Sequence, residues 1–183
     1  MTDKNNNQQR QDMEMNRAMI MPPRVRKFAL TAHITSSVGW LGAVVGILAH
    51  ALAGLTSQDA QIVRSAYLVM ELTGWFVLVP LSFASLLTGL IQSLGTAWGL
   101  FKHYWVLVKL VLTVLATVIL LMYMQTLSHL ADAARDATLS VDNLRNSSPL
   151  VHAGAALLVL LAAITLSVYK PWGRIRYGRR NPI

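Results

Sequence analysis

The chain has 183 residues, 54% of them hydrophobic and only 13% charged, with a mean hydropathy of +0.47; soluble domains carry about 25% charged residues, so a water-soluble globular protein is excluded. There is no cysteine, which removes disulfides, iron–sulfur clusters and thiolate metal sites. The net charge of +8 and pI near 10.3 would suit nucleic acid, but the basic residues flank long apolar runs, where they meet anionic headgroups, so the expected partner is the lipid surface and no nucleic acid.

In chain order, residues 1–27 are rich in Asn, Gln and charge and contain Pro22-Pro23, too little apolar surface to fold alone, so a disordered tail is expected. Its Met13, Met15, Met19 and Met21 are thioethers of the kind that suit copper(I), or simply part of a floppy tail. The apolar run that follows is about twice the length of a secretory signal core, so it is expected to stay as a helix.

Four windows nearly free of charge come next: Phe28–Gln58 with none, Ser65–Phe101 with Glu71, His103–Ala131 with Lys109, and Asn146–Tyr169 with none. A spanning helix needs roughly 20 mainly apolar residues. The expectation is an all-α, four-helix transmembrane bundle over 28–170, with helices near 28–54, 65–94, 103–128 and 149–169. The third connection, 129–149, is long enough for a short surface helix, and residues 171–183 form a basic tail.

Cations are distributed unevenly. Lys4, Arg10, Arg17, Arg24, Arg26, Lys27, Lys102, Lys170, Arg174, Arg176, Arg179 and Arg180 lie on one side of the four spans. Arg64, Arg135 and Arg145 lie on the other, beside Asp59, Asp132, Asp136 and Asp142. The positive-inside rule then puts both termini in the cytoplasm.

At 100° per residue, Ala32, Ser36, Gly39, Ala43, Gly46, His50 and Ala53 share one narrow face of the first helix, and small residues let helix backbones approach closely. His50 is therefore expected inside the bundle near its outer end. Glu71 shares a face with Gly74, Leu78, Ser82, Ser85, Gly89 and Gln92, about 8 Å inside the outer end. His152 aligns with Ala156, Val159 and Ala163, so His50, Glu71 and His152 are expected to converge, whereas His129 falls on the side of its helix opposite Lys109. At the inner end His33 and Lys109 lie at similar depth, and Lys109 shares its face with Trp105, Thr113 and Ala116. Ionisable residues inside a membrane are costly and point to function, although a lysine there also snorkels to headgroups.

These residues admit three kinds of chemistry. His50, Glu71 and His152 match a ligand set for copper or another divalent ion; the same groups suit proton movement, or hydrogen bonds between helices with no cofactor. Haem b between helices is the other cofactor, with Lys109 or boundary arginines taking the propionates. His33 and His50 are about 25 Å apart along the axis, so they cannot serve one iron.

"AHITSSVGWLGA", "VPLSFASLLTGL", "YWVLVKLVLTVL" and "VYKPWG" occur in that order. With these, the chain resembles a set of small bacterial four-helix membrane proteins that includes the membrane domain of copper-resistance protein D, the haem-containing membrane protoporphyrinogen oxidases and uncharacterised relatives. The resemblance spans roughly residues 25–175 and marks His33, Trp40, Pro80, Gly89, Trp105, Lys109, Lys170 and Pro171. It implies a bacterial inner-membrane protein in redox or copper handling. His33 would be a haem ligand, Trp40 would lie beside it, and Lys109 would be a functional base or propionate partner. Where the oxidases have an arginine and a methionine this chain has Ala49 and Ser82, which makes an uncharacterised relative the better match. A structural or accessory subunit, with histidines that only hydrogen-bond between helices, is the alternative, and stripes of Gly and Ala leave room for a homo-oligomer.

Overall fold

The computed structural model describes residues 21–95 and 104–169. The fold is all-α. Helix α1 is Pro23–Thr56; the second span consists of α2 (Ala60–Thr73), a π-helical segment (Gly74–Leu78) and α3 (Val79–Gly95). Helix α4 is Tyr104–Arg135, α5 is the short Val141–Leu144, and α6 is Ser148–Tyr169. Four helical stretches are long and apolar enough to cross a membrane, which makes this a multi-pass integral membrane protein.

The helices start and stop for local reasons. Pro23 opens α1 because a proline at the first helical position gives up an N–H that has no intrahelical acceptor anyway. Five residues expected in the tail, 23–27, are thereby helical. Asp59 caps α2, its carboxylate accepting from the N–H groups of Gln61 at 2.8 Å and Ile62 at 3.4 Å, so the span starts at Ala60 rather than 65. Inside the second span Pro80 lacks an N–H and crowds the carbonyl four residues back, that of Phe76. The wider π turn lies over that carbonyl, and Val79 N–H reaches Gly74 O, five residues back.

Each span packs on its neighbours in sequence, and the fourth returns to the first, so the four form a closed up-and-down ring with spans one and three on a diagonal. The middle of the bundle is apolar. Trp40, Val44 and Ile47 of α1 meet Tyr67, Met70 and Leu78 of the second span, Met124 and Leu127 of α4, and Leu160 of α6. Polar groups therefore collect at two ends: a terminal end, carrying Met21 and Tyr169, and a loop end, carrying residues 57–59 and 136–147.

The buried face of α1 differs from the one expected. Ala29, Ser36, Trp40, Val44, Ile47, Ala51 and Gly54 are buried, a stripe centred about 80° from the small-residue stripe. A Cβ added at Gly46 would meet nothing within 4 Å, whereas one at Gly39 would lie 3.3 Å from Leu81 Cδ1, so the small-residue stripe packs closely at Gly39 but not at Gly46. The chain packs α1 by its large apolar side chains, which bury more area than glycine can. This rotation carries His33 toward the bundle axis and His50 to its edge.

Candidate functional site

At the terminal end a cavity of about 490 Å³ lies between the spans, lined among others by His33 of α1, Ser85, Gly89 and Gln92 of α3, Lys109 and Trp105 of α4, and Ser167 of α6. The two ionisable residues meet across the diagonal of the ring, with Lys109 Nζ 3.4 Å from His33 Nε2. Lys109 thus points to the imidazole in the interior instead of snorkelling along its helix to the boundary.

The partners of His33 fix its tautomer. Nδ1 lies 3.1 Å from the carbonyl oxygen of Ser85 and 3.2 Å from Thr88 Oγ1. A carbonyl only accepts, and Thr88 has already given its proton to Ala84 O at 2.5 Å. Nδ1 therefore carries the hydrogen, and the neutral ring presents the Nε2 lone pair to the cavity and to the ammonium of Lys109. Gly89 makes room for this ring, since a Cβ there would sit 3.0 Å from His33 Cε1. Ser37 and Ser85, 2.8 Å apart through their hydroxyls, tie α1 to α3 one turn further in. Lys109 forms no ion pair among the described residues, so none of their carboxylates stands against the cation in this cavity.

The expected outer cluster does not assemble. His50 Nδ1 lies 2.7 Å from Gly46 O, an acceptor in its own helix. Glu71 is about 90° off the buried face of α2 and pairs instead with Arg135, Oε2 to Nη2 at 2.5 Å. His152 is exposed; its Nδ1 meets Ser148 O at 2.9 Å and its ring stacks on Tyr123. Among the described residues no three His, Cys, Asp or Glu side chains are grouped so as to hold a metal ion. Trp40 is also displaced from its expected place: two turns from His33, it lines a separate apolar cavity of about 130 Å³ together with His152. His129 is exposed near the end of α4. Lys170, Pro171, Met13, Met15 and Met19 lie outside the described residues.

Thr88 and the Ser85 carbonyl are the contacts that sequence reasoning missed. Ser85 and Gly89 were legible on the interior face of the second span, but a backbone acceptor leaves no trace in composition. No family model, no curated protein and no solved structure matches this chain.

Proposed function

We propose that this membrane protein binds a haem b, or a closely related metallated tetrapyrrole, at the terminal-end cavity through His33, as a component of redox chemistry in a bacterial inner membrane with both termini cytoplasmic. The observation that supports this is the state of His33. A metal-ligating histidine characteristically donates its other ring N–H to a carbonyl, which fixes the tautomer and raises the basicity of the ligating nitrogen. Here Nδ1–H is spent on Ser85 O, and the Nε2 lone pair meets only the Lys109 ammonium at 3.4 Å, which would turn from it to a propionate when the iron binds.

The donor set separates a tetrapyrrole from a bare ion. A structural or catalytic divalent ion takes about three or four protein ligands, whereas haem brings four nitrogens and asks the protein for one or two. The described lining offers one imidazole, with Lys109 beside it to meet propionate charge and Gly89 to leave space. When bound, such a group supplies an iron that accepts and releases one electron. The surroundings of His33 hold the ring against α3, and the apolar layer at Trp40, Leu78 and Met124 closes the cavity from the loop end. That layer also disfavours a proton or ion path through the bundle.

The test is the visible spectrum and metal content of protein purified in detergent. The expected result is a Soret band with iron equal to haem and no stoichiometric copper or zinc. No Soret band, even after haem is added, would sink the proposal.

A further inference from the structure

We propose that the second cavity, at the loop end, is a binding site for a membrane-soluble phenol or quinol, one hydroxylated ring inserted between α1, α4 and α6 with its O–H donated to Nε2 of His152. The cavity measures about 130 Å³. A void of about 150 Å³ lined by aliphatic and aromatic side chains takes up benzene, so this one holds a single six-membered ring and little more. Its walls are Trp40, Leu120, Met124 and Leu160. Ile119, His152 and Ala155 on its rim are exposed, so the ring enters sideways from the lipid while an alkyl tail stays outside.

The polar chemistry at this end of the cavity is one-sided. The His152 ring lies flat on Tyr123, centroids 3.8 Å apart at 15°. Its Nδ1 faces the Ser148 carbonyl at 2.9 Å, which can only accept, so the neutral ring has its proton there and a bare lone pair on Nε2. The Tyr123 hydroxyl donates to Ser148 Oγ at 3.2 Å and leaves its oxygen as an acceptor. Both side chains therefore ask for a donor. A phenol or quinol brings one on a flat apolar ring; an ether, ester or quinone of the same shape does not. The stack on Tyr123 fixes the imidazole plane, so the lone pair is held in place before the ligand arrives.

The experiment compares 4-nonylphenol with 4-nonylanisole, its methyl ether, as saturable ligands of the full-length protein in nanodiscs, with empty nanodiscs subtracted. The phenol is expected to bind one per chain, about tenfold more tightly than the ether, the worth of one net hydrogen bond. His152→Phe keeps the stacked ring but loses the lone pair, and should bring the phenol down to the ether. Ala156→Leu, on the cavity wall, should abolish saturable binding of both, and Ala153→Val serves as a second filling variant if Ala156→Leu fails to fold. His33→Ala should change nothing here, which separates this site from the haem site. Equal affinities for phenol and ether, a preference that survives in His152→Phe, binding indifferent to both filling variants, or no saturable binding would each overturn the proposal.

Discussion

The two ends of the bundle both collect polar side chains and use them in opposite ways. At the loop end the cations are tied to structure. Arg64 donates to the carbonyls of Ala134, Asp136 and Leu139 at 2.6–2.9 Å, and Arg145 donates to those of Leu55 and Ser57 at 2.6–2.7 Å. Arg135 bridges Glu71 and Asp132. The first two satisfy carbonyls that a helix C-terminus leaves without partners and complement its partial negative charge. These are the three arginines that run against the charge asymmetry of the chain, and each has a local structural task. At the terminal end Lys109 and His33 touch at 3.4 Å on the wall of a cavity whose described lining holds no carboxylate. A charge tied to carboxylates and helix-end carbonyls reports on folding, whereas one that meets only a neutral imidazole is available to an anionic ligand.

The contrast is testable by separating stability from binding, and the largest effect belongs to the loop end. Arg145→Ala leaves the last carbonyls of α1 without their charged donor and should cost about 2–3 kcal/mol. Chemical unfolding in mixed micelles would measure this, and haem uptake should be unchanged in the protein that remains folded. At the terminal end Gly89→Ala puts a methyl 3.0 Å from His33 Cε1. That overpacking should cost about 1–2 kcal/mol and weaken haem binding, because the imidazole must leave the Ser85 carbonyl; an unchanged spectrum would detach Gly89 from the site.

Glu71→Gln should have a smaller effect, under about 1 kcal/mol, because its partner Arg135 is half exposed and water screens the pair. Metal content should not change, which distinguishes an ion-paired Glu71 from a metal ligand. The smallest effect is one of pH. The Asp136 carboxyl is held below the usual carboxylate range by the Thr138 hydroxyl and then by the Thr138 N–H, outside the spans. A lowered folded value means that its contribution is complete above the unfolded value and is lost as pH falls through the folded one. Protection of the Thr138 amide, its exchange rate relative to a free amide at the same pH, should therefore be present near neutrality and be lost in acid, with the rest of the bundle unaffected.

The fold was readable from the sequence because charge-free windows of spanning length have few alternatives, and every one of the four became a helix. The ends were less readable: Asp59 and Pro23 are recognisable as cap and first-turn residues, but an apolar window does not show where capping takes over. The inner pair, His33 and Lys109, was legible from their similar depth together with the resemblance that marks both, although the expected packing stripe of α1 left His33 off its face. The outer trio failed for a geometric reason. The small-residue stripe is the packing face that the sequence of α1 suggests, and the real face, set by Trp40, Val44 and Ile47, is rotated from it by about 80°. The π segment ahead of Pro80 adds to this by breaking the periodicity between Glu71 and the residues below it.

The measurement that bears most directly on the difference between the two ends is haem titration of four proteins side by side: the wild type, His33→Ala, His50→Ala and His152→Ala, each checked for folding by its unfolding transition. One haem per chain is expected in the wild type and in the two loop-end variants, with the Soret band lost in His33→Ala alone. A band that persists without His33, or that disappears with His50 or His152, would contradict the assignment of the terminal-end cavity as the site.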